Sequence, residues 1–201
     1  RVAGLSSHMV LDSLNDMLYI CDTGNHRVIR MNINSGEIGT ILDPYGENIE
    51  GYYSMINADF ETVIDSGLVL PTGIDIYNTF LLVSNYSTGE IFIYDLQVPN
   101  QIQLIQTLET GIFEDLMSIK VGPDGTIWFV STNANKLYQI LPPMNGDFDG
   151  DNSISLNDFI LLLSHILNTN SISDENLFLA DLNYDNIVDL LDLILLIDSI
   201  N

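Results

Sequence analysis

The sequence predicts a multidomain chain, with an all-β segment over residues 1–141 and a small all-α module over 146–201, joined by a linker at 142–145. Three observations carry this. β-branched and aromatic residues alternate at period two through the first segment. A twelve-residue pattern of oxygen-bearing side chains occurs twice in the second, each time followed by an apolar run of helical length. The charge also divides near the boundary: residues 1–145 hold 17 acidic and five basic side chains, whereas 146–201 hold 11 acidic and none basic.

A net charge of −23 repels nucleic acid and anionic membrane surfaces, so neither is expected as a partner, and cations are. Apolar runs such as 159–163 are too short to span a bilayer, so no membrane insertion is expected. Cys21 is the only cysteine, which excludes an intrachain disulfide; within its apolar run it reads as a small buried hydrophobe. The chain opens at Arg1, inside what reads as a domain, so the lack of a visible leader says nothing about export.

The first segment repeats. Copies at 8–38, 71–96 and 117–141 each show strand-like runs separated by turn formers such as Asn15-Asp16, Tyr77-Asn78 and Asp124-Gly125. Three antiparallel strands plus a fourth, at 101–108 in the second copy, would make one blade of a β-propeller. Propellers close with roughly four to eight blades and three are counted here, so the chain is expected to be the C-terminal piece of a longer, truncated propeller protein. Residues 43–67, rich in Tyr, Gly, Asn and Glu, are expected to form an excursion on one face.

The stretch Asp22-Thr23-Gly24-Asn25-His26-Arg27-Val28 resembles the signature of NHL-repeat propellers, and Thr88-Gly89-Glu90-Ile91 and Asn133-Ala134-Asn135-Lys136-Leu137 are weaker echoes. Two roles are open for this stretch. His26 and Arg27 contact a ligand at the propeller mouth, or Asp22 and Arg27 hold a tight loop and pair with a neighbouring blade; repeated scaffold chemistry favours the second. The resemblance implies a binding face for an unknown ligand. Some NHL-like propellers are lyases or lactonases with an axial metal, which makes an enzyme the rival, with His8, Asp22, Asp75 and Asn85 as candidates. No nucleophile–base–orienter set or paired-acid spacing stands out, so a non-catalytic binder leads and no catalytic residue is assigned.

In the second segment Asp147, Asp149, Asp151, Ser153 and Asp158 align with Asp181, Asn183, Asp185, Ile187 and Asp192 at an offset of 34 residues, as loop positions 1, 3, 5, 7 and 12. Calcium takes six to eight oxygens, and a loop so spaced wraps it with alternate side chains while the main-chain oxygen at position 7, from Ser153 and Ile187, fills a further place. Two Ca2+ ions are expected. Ser155 and Asp189, at position 9, would act directly or through water, and Ile154 and Val188, at position 8, would pair the loops through short β-bridges. Magnesium fits less well because it demands a tighter octahedron, and zinc less still, with no Cys and only His165 nearby. The plain alternative is a pair of acid-rich helix caps without metal.

Position 6 is Asn152 and Asn186 where Gly is usual, and Asn tolerates the left-handed backbone next best. Position 12 is Asp rather than Glu, and Pro142-Pro143 excludes a helix leading into the first loop. Each loop followed by one helix, with helical runs at 156–167 and 190–200, resembles the type I dockerin family, an EF-hand-like fold. That resemblance implies calcium-dependent docking to a cohesin-like partner, a secreted or cell-surface setting, and the polysaccharide catabolism in which cellulosomal dockerins work. Recognition positions 10 and 11, often hydroxyl residues in that family, are Leu156-Asn157 and Leu190-Leu191 here, so the partner surface would be apolar or the module's own propeller.

Overall fold

The computed structural model of the chain describes residues 7–41, 53–97, 102–173, 176–185 and 187–200. They fall into two compact units, Arg1–Leu141 and Pro142–Asn201. No described helix is long and apolar enough to cross a membrane.

Unit 1 is β-rich. In its first sheet β1 (Met9–Asp12), β2 (Met17–Asp22) and β3 (Arg27–Asn32) run antiparallel. A two-stranded excursion follows, β4 (Glu37–Ile41) against β5 (Tyr53–Ile56), and the chain returns as β6 (Phe60–Ile64) to complete the order β1-β2-β3-β6. The excursion expected over 43–67 is thus a hairpin and its return strand, with 42–52 outside the described residues.

The second sheet is a plain meander, β7 (Pro71–Tyr77), β8 (Phe80–Asn85), β9 (Glu90–Asp95) and β10 (Gln103–Glu109), and the third is β11 (Leu116–Val121), β12 (Ile127–Ser131) and β13 (Lys136–Ile140). Short polar turns close the hairpins. Asn78 takes φ 53 in the two-residue turn between β7 and β8, a left-handed conformation that Asn accepts at low cost.

The first strands of the three sheets lie side by side, β7 against both β1 and β11. Two apolar layers fill the spaces between sheets. Tyr19, Cys21 and Val28 of the first sheet meet Ile74, Leu81, Val83, Phe92 and Tyr94 of the second; Leu82 and Ile91 of the second meet Leu116, Ile119, Ile127 and Phe129 of the third. Hydroxyls stitch the same seams: Thr23 Oγ1 donates to the Pro71 carbonyl (2.7 Å), Thr72 Oγ1 to that of Leu116 (2.9 Å) and Ser84 Oγ to that of Met117 (3.1 Å). Cys21 is fully buried, and burial pushes its thiol up to about 12, so it packs as an inert small side chain.

Unit 2 holds α1 (Leu156–Ile166) and α2 (Leu190–Ser199), each entered from one of the acidic loops. Phe148, Leu162, Ile172, Leu179, Ala180, Leu193 and Leu196 form its core. Ile154 and Val188 pack against that core but stay outside any strand, so the expected β-bridge between the loops is replaced by side-chain packing.

Candidate metal centre

The first acidic loop is wound by its own carboxylates. Asp147 is buried and accepts hydrogen bonds from the main-chain N–H groups of Gly150 (2.8 Å), Asp151 (3.2 Å) and Asn152 (2.8 Å). Asp149 accepts from the Asp151 N–H (3.2 Å), and Asp151 from the N–H (2.9 Å) and hydroxyl (2.7 Å) of the exposed Ser153. Successive Asx turns of this kind coil the backbone inward. They need left-handed residues, supplied by Gly150 (φ 76) and Asn152 (φ 63), the latter as expected at position 6; its counterpart Asn186 lies outside the described residues.

The coil brings carboxylate oxygens of Asp147, Asp149 and Asp151 within 4.8 Å of one another. Unit charges that close repel by roughly 1 kcal/mol per pair even at the dielectric constant of water. Partial desolvation, together with the Asp158, Asp151 and Asp147 charges, raises the Asp149 pKa against the opposing pull of the Asp151 amide.

The second loop repeats the winding. The Asp185 N–H donates to Asp181 (3.1 Å) and to Asn183 Oδ1 (2.9 Å), and the Ile187 N–H donates to Asp185 (2.8 Å). Among the described residues only the first loop gathers three acids, because position 3 of the second carries the amide of Asn183. Tyr184, at position 4, takes the left-handed conformation (φ 60) that Gly150 takes in the first loop.

Position 12 is fully buried in both loops and ties each to its helix. Asp158 accepts from the N–H groups of Phe148 (2.7 Å) and Asp149 (3.3 Å) through Oδ1, and from the N–H (2.8 Å) and hydroxyl (3.0 Å) of Ser155 through Oδ2. Asp192 accepts likewise from Leu182 (2.7 Å), Asn183 (3.2 Å) and Asp189 (2.8 Å). Burial pushes the Asp158 carboxyl up, but the donors from Phe148 and Ser155 outweigh it and hold the pKa below the usual carboxylate value. With Ser155 and Asp189 as N-caps, both helices start in complete capping boxes.

The capping expected only as the alternative to metal is thus present in both loops, signalled by Ser-x-x-Asp and Asp-x-x-Asp before an apolar run. Caps do not account for positions 1, 3 and 5, which cap neither helix yet converge in the first loop at an electrostatic cost. The donor set of carboxylate, amide and main-chain oxygens fits a hard divalent cation. His165 does not join the converging group, and its Nδ1 accepts from the Ile172 N–H (3.2 Å).

In unit 1 three of the four residues considered for catalysis are engaged in hydrogen bonds or ion pairs within the β-rich unit. Asp22 pairs with Arg27 Nε (2.7 Å) across the loop after β2 and accepts from Asn25. Asn85 accepts from the Val69 N–H (2.6 Å) and donates to Thr88 (2.8 Å). Asp75 binds Lys120 Nζ (3.0 Å) and the Val121 N–H (2.8 Å). Burial, then the Lys120 charge, lowers the His8 pKa.

The Asp22–Arg27 pair holds a tight loop as expected, but Arg27 reaches Thr62 (3.1 Å) of its own sheet rather than a neighbouring one. His26 makes the longer link instead: in a left-handed conformation, its Nδ1 accepts from the Leu70 N–H (3.1 Å) just before β7.

Two loops are alike in spacing and in hydrogen bonding, and each leads into one capped helix. Residues 145–201 match the family model of the dockerin type I domain. Dockerin domains bind calcium, dock to cohesin partners and are typically components of extracellular or cell-surface assemblies. On the dockerin-like unit of this chain, Leu156 and Ile160 of α1 and Leu190, Leu191, Ile194 and Ile197 of α2 are exposed, which leaves much of both helices apolar and open.

No curated protein matches the chain. A solved structure of a functionally unknown protein from Desulfotomaculum acetoxidans DSM 771 aligns with 66% of this chain at 18% identity and a TM-score of 0.43, and the chain spans 40% of that protein's length.

Proposed function

We propose that this chain is an extracellular, non-catalytic protein in which 1–141 form NHL-like propeller blades presenting a binding face, and 146–201 form a calcium-loaded docking module. The convergence of Asp147, Asp149 and Asp151 within 4.8 Å carries the metal reading. Asp147, Asp149, Asp151, the Ser153 main-chain oxygen and Asp158 would hold one Ca2+; Asp181, Asn183, Asp185, the Ile187 main-chain oxygen and Asp192 would hold a second. Bound calcium compensates the crowded charge. The chain's own residues do the rest: Asp158 and Asp192 couple each loop to the first turn of its helix, so an ordered loop presents an ordered helix face.

That face is apolar at Leu156, Leu190 and Leu191, which fits a cohesin-like partner offering an apolar surface. The blade reading is supported by three antiparallel sheets whose first strands lie together and by the seams repeated between them. Calorimetric titration of the chelator-treated chain with calcium should resolve two sites, and D147A should leave one. A wild-type chain that takes up one ion or none overturns the assignment.

A further inference from the structure

Asn145-Gly146 is the single Asn-Gly step in the chain, and it stands immediately before Asp147, position 1 of the first loop. Such a step can react with itself, because glycine has no side chain to shield its nitrogen or to restrict its approach to the neighbouring side-chain carbonyl. In unit 2 both reacting groups are held. The Gly146 nitrogen, which would be the nucleophile, is buried and donates its N–H to the Leu179 carbonyl (3.1 Å). The Asn145 amide nitrogen, which would leave, donates through Nδ2 to the Tyr184 hydroxyl (2.9 Å). Between them, the Asp147 N–H donates to the Met144 carbonyl (3.0 Å) and closes the turn around the step. Leu179 lies just ahead of the second loop and Tyr184 is its position 4, so the entry to the first loop is fastened by the second.

We propose that Asn145 is a self-modification site, protected while the second loop is folded and converted to aspartate or isoaspartate once that loop opens. The Gly146 nitrogen attacks Asn145 Cγ. The N–Cγ bond forms, the Cγ–Nδ2 bond breaks, and the amide leaves as ammonia with the proton that the Gly146 nitrogen gives up. Water then opens the cyclic imide at either of its carbonyls.

The isoaspartyl product does not fit the native turn. Its main chain runs through the side-chain carbons and is longer by a methylene, next to a residue with no room to spare. Gly146 is left-handed (φ 93), and even a Cβ there would lie 2.8 Å from Cδ1 of Leu196, a fully buried core residue. Either product adds a negative charge close to Asp147, which already shares its space with Asp149 and Asp151. The reaction therefore marks, in one direction, chains whose second loop has opened. It depends on the fold of unit 2 alone and stands whether or not either loop holds an ion.

The full chain, incubated in mildly alkaline buffer with and without guanidinium chloride enough to unfold unit 2, tests this by peptide mass mapping. The peptide holding Asn145 should gain the mass of an amide-to-acid conversion in denaturant and should convert far more slowly in native buffer. N145Q should keep the helical circular dichroism and abolish the gain. Y184F should also fold, and should raise the native rate a few-fold, the scale of one lost hydrogen bond. Isoaspartyl chains returned to native buffer should recover less helix than unmodified ones.

Equal rates in native buffer and denaturant overturn the protection. A peptide that stays unmodified in denaturant, or a gain that persists in N145Q, overturns the site. A native rate that Y184F leaves unchanged removes the second loop as the fastening, and full recovery of helix by isoaspartyl chains removes the one-way mark.

Discussion

Asp115, just ahead of β11, is a buried carboxylate with several donors aimed at it: the Thr132 N–H (3.0 Å) and hydroxyl (2.8 Å), the Asn133 N–H (2.9 Å) and the Ser131 hydroxyl. Burial pushes its pKa up, but these donors prevail and hold it at about 2. In the unfolded chain the same carboxyl titrates at about 3.9. Between those values the unfolded state binds more protons, so stability rises with pH through this window, is fully present above it, and is lost as pH falls towards about 2. Asp115→Asn should cost about 2 kcal/mol at neutral pH and flatten the acid limb of unit 1 between roughly pH 4 and 2. Urea denaturation followed by Trp128 emission, at several pH values, tests both; an unchanged acid limb would remove Asp115 from the account.

At the scale of strands and helices, what was legible followed the strength of the local pattern. β12 shows clear alternation of buried and exposed positions, β2 and β8 read as near-continuous apolar runs because they are inner strands of their sheets, and both helices begin at the residue after position 9, where the loop spacing puts them. β6 was not legible: it is mostly exposed, and its partner β3 is separated from it by the β4–β5 excursion. Asp115 escaped for a related reason, since its partners lie 16 to 18 residues ahead and outside any local motif. The convergence of positions 1, 3 and 5 in the first loop was legible from spacing, whereas the capping by position 12 stood in the sequence only as the alternative to its role as a ligand. The close approach of β7 to the third sheet was equally invisible. A Cβ on Gly73 would sit 2.5 Å from the Ile119 nitrogen and 3.0 Å from the Met117 carbonyl oxygen, both of them backbone that can yield only if the sheets part. Gly73→Ala gains about 0.5–1 kcal/mol by restricting the unfolded chain but loses about 1–3 kcal/mol or more to overpacking. A net loss near 2 kcal/mol in chemical denaturation is the expected result, and a stabilised variant would show that the seam between these sheets is loose.

Taken whole, the molecule joins two units that rest on different forces. Unit 1 has two apolar layers and the hydroxyl stitching between its sheets, none of which involves an ion. Unit 2 spans about 60 residues with a core of seven buried apolar side chains, a size at which domains are marginal on hydrophobic burial alone. It also bears the repulsion of its loop acids. A ligand at a hundred times its dissociation constant adds about 2.7 kcal/mol per site, so two filled loops would contribute about 5 kcal/mol, comparable with the whole stability of a small domain. Adding a chelator should therefore lower the helical circular dichroism of α1 and α2 and their melting temperature, while the Trp128 transition of unit 1 stays where it was. If that transition falls with the helices, the acidic unit stabilises the β-rich one and the two act as a single cooperative body. If the helices hold their melting temperature without calcium, capping and the small core suffice, and the acids at positions 1, 3 and 5 need another explanation.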